Sequence, residues 1–359
     1  MVLNVISSLS GGGAELLVRE LHKLYENKGV KTKALYFSGK SADKNNGEHV
    51  IGVGPKNPLA IFYIRKWIIR LSAESNDVLT VHAHLTWPFF YVALASLGIN
   101  NVRLIYTEHN TTNKRRQVPF LRLLERFIYG RYSKIICISP AVKESLIDWI
   151  GDRFLPRVVT VTNGAPIYDL YHRPPVPGRR VRLVSVGSLT EKKNFSVAIK
   201  AVAKIPEIIE VYKIIGEGPE RKKLEHLIKC EGVEGKVVLV GWSDYIEEHL
   251  KEADIQLIPS LWEGFGLVAV EGMSTGISIV ASDVPGLRDV LDPNNMAVTL
   301  VKDVGNVSCW VDGIVSSADD FRLYNVADIS FSAHSQAEKF SLEEMAEKYL
   351  DVYRCESSE

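Results

Sequence analysis

The sequence predicts an α/β protein built from two doubly wound domains in tandem, each an open parallel sheet covered by helices. Three observations predict it. The chain is 359 residues long, more than one hydrophobic core usually organises. A short apolar strand that runs into glycine and then into a helix occurs twice, at Val2–Ser7 before Gly11-Gly12-Gly13 and at Arg182–Val186 before Gly187-Ser188. Continuous apolar runs alternate with helical stretches through both halves, as strands buried on both faces do.

The elements follow in order. Val2–Ser7 lacks the basic start and long apolar stretch of a signal peptide, so it reads as the first strand. Behind it Ala14, Leu17, Val18, Leu21 and Leu24 recur at helical spacing. Val78–Val81, Arg103–Tyr106, Ile135–Ile138 and Val158–Val161 are the next strands. Three prolines and a glycine within residues 172–180 forbid a regular element and mark a linker. The second half repeats the plan, with Val197, Ala198, Ala201 and Val202 on a helix after Arg182–Val186. Its further strands are Val211–Ile215, Val237–Val240, Ile255–Pro259 and Ile277–Ala281. Leu342, Met345, Ala346, Tyr349, Leu350 and Tyr353 form one apolar stripe on a terminal helix that must pack on another element. The expected division is a first domain over residues 1–170, a linker over 171–181, a second domain over 182–335 and a terminal helix over 336–359 that packs back on the first domain.

Composition narrows the class. The 46% hydrophobic and 24% charged fractions are those of a globular enzyme. Cys137, Cys230, Cys309 and Cys355 are scattered without CxxC spacing, which points away from a zinc site or disulfide framework and toward a reducing compartment. Leu85–Ile99, the longest apolar stretch, is too short and too interrupted to span a membrane. Formal charge is zero overall, but residues 1–165 carry 22 basic against 12 acidic side chains. The first half is thus strongly positive, while the zero total argues against nucleic acid.

The chemistry concentrates where open α/β sheets bind ligands, beyond the carboxyl ends of the strands. Pro259 to Met273 reads as strand end, glycine loop and helix. Amides at a helix start carry about half a positive charge, and glycine lets a phosphate come close. Phe265, Gly266 and Leu267 are therefore expected to cradle a diphosphate. Glu271 sits one to two turns into the helix, placed to accept bonds from a ribose diol, and Glu263 precedes it, placed to bind sugar hydroxyls. Taken as isolated residues the two glutamates read first as a capping or solvated pair, and Glu191-Lys192-Lys193 as a solvated turn. No His/Cys/carboxylate cluster has metal-ligand spacing and no Asp-x-Asp occurs, so no metal or other cofactor is expected. Gly11–Gly13 lacks the spacing of a nicotinamide-binding loop.

The Glu263-x7-Glu271 segment resembles the corresponding motif of retaining glycosyltransferases with the two-domain GT-B fold, specifically glycosyltransferase family 4. The resemblance extends over nearly the whole chain, through Gly12-Gly13-Ala14-Glu15, Thr107-Glu108-His109-Asn110, Ile138-Ser139, Thr162-Asn163-Gly164, Val186-Gly187-Ser188-Leu189, Gly216-Glu217-Gly218-Pro219, Val280-Ala281-Ser282 and Pro285-Gly286. It implies two Rossmann-like domains facing across a cleft, a nucleotide-sugar donor and retention of anomeric configuration. It implies that Glu271 holds the donor ribose, that Glu263 contacts the transferred sugar, and that the Phe265-Gly266-Leu267 amides hold phosphate. His109 is implied to meet sugar hydroxyls, whereas His84 reads as a satisfied structural histidine. Gly12 and Gly13 are expected to approach donor phosphate or acceptor, and Gly216 to shape the base or ribose pocket. The family neutralises the leaving diphosphate with an arginine and a lysine five residues apart. Lys193 matches the lysine, but Ser188 stands at the arginine position, so Lys192 or a basic residue of the first domain is expected to substitute.

Two basic, amphipathic stretches in the positive half bear on the acceptor. In Leu59–Leu71, Ile61, Ile64, Ile68 and Leu71 share a face apart from Lys66 and Arg70. In the second, Lys114, Arg115, Arg116, Arg122 and Arg126 accompany Leu121, Leu124 and Ile128. Such helices can lie on an anionic bilayer. The expected reaction moves a hexose or N-acetylhexosamine from a UDP-sugar to a lipid-linked saccharide in bacterial surface polysaccharide (O-antigen or capsule) assembly, at the cytoplasmic face of the plasma membrane. A nucleotide-sugar epimerase of the same fold and a non-catalytic two-domain sugar-binding protein are the rival readings.

Overall fold

The computed structural model describes residues 1–8, 13–39, 47–75, 77–110, 114–118, 120–173, 180–323 and 325–354. The chain divides into two units, Met1–Asn163 with Leu342–Glu359, and Gly164–Ser341.

The first unit runs β1 (Val2–Ser8), α1 (Gly13–Asn27), β2 (Thr32–Ser38), β3 (Glu48–Val50), α2 (Ala60–Glu74), β4 (Leu79–His84), α3 (Thr86–Ala95), β5 (Val102–Glu108), α4 (Leu121–Tyr129), β6 (Lys134–Cys137), α5 (Pro140–Ile150) and β7 (Val158–Thr160). Its seven strands lie in the order β3-β2-β1-β4-β5-β6-β7, every neighbouring pair parallel. The second unit runs β8 (Val181–Val186), α6 (Phe195–Lys204), β9 (Ile209–Ile215), α7 (Arg221–Cys230), β10 (Val237–Gly241), α8 (Ile246–Glu252), β11 (Ile255–Ile258), α9 (Leu267–Ser274), β12 (Ser278–Ser282), α10 (Pro285–Arg288), β13 (Val298–Val301), α11 (Val307–Leu323) and α12 (Val326–Glu338). Its sheet, also parallel, has the order β10-β9-β8-β11-β12-β13. In both sheets the order reverses beside the first strand, which opens a crevice at the carboxyl ends of β1 and β4, and of β8 and β11.

Burial explains the strands. β11 and β12 are buried at every position because helices cover both faces. Leu183, Tyr212, Ile255 and Leu257 meet Phe195, Val202 and Trp310 from the helices in one core. In the first unit, α13 (Leu342–Arg354) buries the predicted stripe, Leu342, Met345, Ala346, Tyr349 and Leu350, against Leu17, Leu21 and Tyr25 of α1 and Ile105 and Ile136 of the sheet. Each leucine, isoleucine or methionine buried there contributes roughly 1.5–3 kcal/mol. Arg103 donates to the carbonyls of Val352 and Tyr353, satisfying acceptors that the end of α13 leaves free.

The boundaries differ from the sequence-based division. Residues 164–173 belong to the second unit. Tyr168 N–H donates to Ser274 Oγ, and the buried Arg173 guanidinium donates to the carbonyls of Leu250, Ala253 and Thr275. Pro174–Arg179 of the expected linker lie outside the described residues. At the other end α12 reaches Glu338 within the second unit, and only Leu342 onward joins the first. Strands β2, β3 and β13 have no counterpart in the sequence-based reading. β3 has three residues and β13 four, none of the latter fully buried before Val301, so neither carries the long apolar run by which the others are recognised.

Candidate active site

The second unit gathers most of the predicted site around one carboxylate. β11 ends at Ile258, and the loop from Pro259 brings Glu263 to 8% exposure. Ser260 Oγ donates to Glu263 Oε1 at 2.8 Å. On the neighbouring strand β8, the chain passes Gly187 and Ser188 into a single turn at Glu191–Lys193. There Lys193 Nζ donates to Glu263 Oε1 at 2.5 Å and Lys192 Nζ to Oε2 at 3.1 Å. Leu261 N–H donates to the Lys192 carbonyl at 2.8 Å, tying the two loops together through the backbone.

The helix start follows directly. Gly266 takes φ 84°, ψ 45° to turn the chain into α9, and a Cβ there would lie 2.6 Å from Leu287 Cδ2. The position therefore demands glycine on both counts. Phe265 buries its ring edge-on against Phe340, centroids 5.7 Å apart, so only its backbone can serve a ligand. Leu267 opens the helix. Gly216 meets a similar constraint, since a Cβ would sit 2.0 Å from the Gly187 carbonyl oxygen; the end of β9 and the loop after β8 touch at that point.

The two glutamates are pushed in opposite directions. Burial tends to raise the Glu263 carboxyl, but Lys193 and Lys192, with hydrogen bonds from Lys193 and Ser260, outweigh it and hold the group below its usual range. Glu271, half-buried in the second turn of α9, makes no side-chain hydrogen bond among the described residues, and burial pushes it up to about 7 against the opposing field of Lys193. One carboxylate is fixed as an anion and the other is poised to lose a proton near neutrality, an arrangement that marks functional sites.

Lys193, expected at a diphosphate, is thus held by Glu263 in this structure. Ser188 is exposed and its hydroxyl makes no hydrogen bond among the described residues. Ser260 escaped sequence reasoning: the spacing Ser260-x-x-Glu263 reads as a capping box, but the hydroxyl meets the glutamate side chain instead.

The first unit holds His109, Gly13 and the β1/β4 crevice. Gly13 begins α1, and Gly12 lies outside the described residues. A cavity of about 830 Å³ opens at the crevice, lined by Ser7, Glu15, Lys56, Asn57, Leu85 and Trp87. Leu85 has φ 69°, ψ 174°, an unusual conformation for a branched residue of the kind that clusters at functional sites. His109, 8% exposed, follows β5. Burial lowers it to about 4. Glu108 steadies its loop, accepting from Tyr129 Oη at 3.0 Å, from Arg116 Nη2 at 3.2 Å and from Asn110 N–H at 3.3 Å. The reading of His84 as satisfied needs correction. Its Nδ1 lies 3.4 Å from His109 Nε2, but its buried Nε2 has no partner.

In α4, Ile128 turns inward together with Glu125 and Tyr129. Glu125 accepts from Trp149 Nε1 at 2.6 Å and pairs with Arg115 at 3.2 Å. Phe120, Leu123 and Phe127 are left 74%, 73% and 60% exposed, with Leu124 beside them. Among the described residues no helix is long and apolar enough to cross a membrane, and no group of His, Cys, Asp and Glu is arranged to hold a metal ion.

Comparison with known proteins gives the chain a family. Residues 11–167 match the model described as Glycosyltransferase Family 4, and residues 172–320 the model described as Glycosyl transferases group 1. An uncharacterized glycosyltransferase of Methanocaldococcus jannaschii is 32% identical over 176 residues, 48% of this chain and 44% of that protein, so the match spans less than half of the relative's length. The UDP-Gal:alpha-D-GlcNAc-diphosphoundecaprenol alpha-1,3-galactosyltransferase of Escherichia coli is 24% identical over 305 residues, 79% of this chain and 76% of that one. The crystal structure of Anabaena HepE in complex with UDP and glucose superposes with a TM-score of 0.80 over 99% of both chains at 18% identity, a likeness of fold. The chain belongs to the GT-B fold glycosyltransferases of family 4.

Proposed function

We propose that the protein is a retaining, metal-independent glycosyltransferase that moves a hexose or N-acetylhexosamine from a UDP-sugar to a lipid-linked saccharide during bacterial surface polysaccharide assembly. The observation that carries the reading is Glu263, buried and clamped by two lysines beside the glycine-led start of α9, with Glu271 in the second turn of that helix. The Escherichia coli relative is named for UDP-Gal and alpha-D-GlcNAc-diphosphoundecaprenol, and HepE was crystallised with UDP and glucose; both support this choice of substrates.

In this mechanism Glu271 accepts hydrogen bonds from the ribose diol and the first amides of α9 meet the diphosphate. Glu263 and His109 hold sugar hydroxyls. As the bond between the anomeric carbon and the phosphate oxygen breaks, negative charge grows on the diphosphate, and Lys193 and the amides stabilise it without reorganising. The acceptor oxygen bonds to the anomeric carbon from the same face. Its proton passes to a diphosphate oxygen, so no separate protein base is needed and UDP leaves.

The direct test incubates the protein with a panel of nucleotide sugars and follows free nucleotide. Slow hydrolysis of one UDP-sugar, accelerated by a lipid-linked saccharide, is the expected result; no turnover of any nucleotide sugar would overturn the reading.

Glu271 gives a second test. The ribose hydroxyls must donate to an ionised carboxylate, so a group poised near 7 releases its proton on donor binding. Affinity for the UDP-sugar should fall about tenfold from pH 8 to pH 6. Calorimetry should show proton release, and Glu271→Gln should bind weakly and without the pH dependence. A flat profile in the unaltered protein would remove Glu271 from the donor site.

The outward Phe120, Leu123 and Phe127, in a unit rich in arginine and lysine, fit the headgroup region of an anionic bilayer. The protein should sediment with vesicles containing anionic lipid and be released by salt. Replacing Phe120, Leu123 and Phe127 together by serine should abolish sedimentation and leave hydrolysis of the donor intact. Equal binding to neutral vesicles, or none to anionic ones, would sink the membrane assignment.

A further inference from the structure

Three histidines meet where β4 and β5 end. The two strands run parallel with His84 opposite Thr107, so His109, two residues further, arrives beside His84. His82 has both ring nitrogens engaged, Nδ1 with Tyr353 Oη at 2.6 Å and Nε2 with Thr107 Oγ1 at 2.7 Å. Its ring packs on His84 with centroids 4.0 Å apart. Tyr349 adds a hydroxyl 3.4 Å from Thr107 Oγ1. Among the described residues no carboxylate hydrogen-bonds any of the three rings, so nothing nearby favours a charged imidazole.

A neutral imidazole carries a single ring proton. On His84 Nε2 that proton would be a fully buried donor with nothing to meet. On Nδ1 it is donated to His109 Nε2, and Nε2 is left as a bare acceptor, the less costly of the two defects. His109 Nε2 must then be unprotonated, which puts the His109 proton on Nδ1. That nitrogen has no protein partner among the described residues.

We infer that His84 is a positioning residue: it donates Nδ1–H to His109 Nε2 and fixes His109 as the Nδ1–H tautomer, so that His109 offers a hydrogen-bond donor to an oxygen of the bound sugar. Thr107, Tyr349 and Tyr353 hold His82, His82 supports the His84 ring, and His84 sets the proton of His109. The role of that donor in turnover rests on the proposed glycosyl transfer; the tautomer does not.

The test is long-range ¹H–¹⁵N correlation of the intact, ¹⁵N-histidine-labelled protein at pH 7, with His84→Asn and His109→Gln spectra to assign the rings. His84 and His109 should both be Nδ1–H tautomers. Either ring protonated on Nε2, doubly protonated, or averaging between tautomers would overturn the inference, and this measurement needs no variant to fold with full stability. In turnover, His84→Leu should lower kcat about tenfold, the loss of one directed hydrogen bond, and set His109 averaging between tautomers. His84→Asn, whose amide can place a donor where Nδ1 stood, should restore both. A leucine variant with unchanged kcat and unchanged His109 tautomer would refute a positioning role. Absence of any donor turnover in the unaltered protein, with the tautomers as expected, would refute the proposed function alone.

Discussion

Glu263→Gln and Lys193→Ala should each lower kcat by about 10²–10³-fold, the range found when one preorganised group at a developing charge is removed. Their effects should not add, because Glu263 Oε1 and Lys193 Nζ form one ion pair and groups that act as a unit lose function together. In the proposed mechanism Lys193 stabilises the charge that grows on the diphosphate, so its loss should appear in kcat more than in KM. The glutamine retains the volume of Glu263 and an oxygen for Ser260 Oγ, which limits the structural damage. Removing the carboxylate does leave two ammonium groups facing each other, yet Lys192 is partly solvated and can turn outward. Thermal unfolding should therefore shift by only a few degrees while turnover collapses. Near-normal transfer by both variants, with unfolding temperatures unchanged, would dismantle the site as described.

Acid should destabilise the first unit steeply. An unfolded imidazole takes up its proton near pH 6.5. In the folded protein burial, aided by the His109 imidazole, lowers His82 to about 3, burial lowers His109 to about 4, and burial with both neighbours depresses His84 strongly. The unfolded chain thus binds more protons below pH 6.5, so this stability is fully present above that value and is lost as the pH falls toward 4. Each proton is worth about 1.4 kcal/mol per pH unit, and three together about 4 kcal/mol per pH unit. Glu271, in the second unit, has the opposite sign. Its contribution is full at low pH and declines as the pH rises from the ordinary glutamate value to about 7. Urea unfolding measured between pH 7 and pH 5 should show the transition of the first unit moving strongly to lower denaturant. His82→Gln, which cannot charge, should flatten that slope by about one third even if it lowers stability throughout. A midpoint indifferent to pH in this range would show that the three rings are not held neutral.

The acid sensitivity also illustrates what a sequence hides. His82, His84 and His109 are each visible as residues near strand ends, but their pairing across 25 positions depends on β4 and β5 being neighbours in a particular parallel register. Lys192 and Lys193 likewise reach Glu263 from 70 or more positions away because β8 and β11 are adjacent in the sheet. The inward face of α4 is likewise a tertiary outcome: Glu125 is buried there, accepting from Trp149 Nε1 and paired with Arg115.

By itself the sequence determined the two parallel-sheet units, the glycine-led helix that carries Glu271 with Glu263 in the loop before it, and the stripe of the terminal helix. These depend on spacing along one strand, turn or helix, which backbone geometry fixes locally. Only the tertiary structure decided which cation holds Glu263, which histidine orients His109, which side of α4 faces outward and where the first unit ends. Those outcomes turn on strand neighbours and on competition among buried polar groups for partners, and neither is encoded at any single separation along the chain.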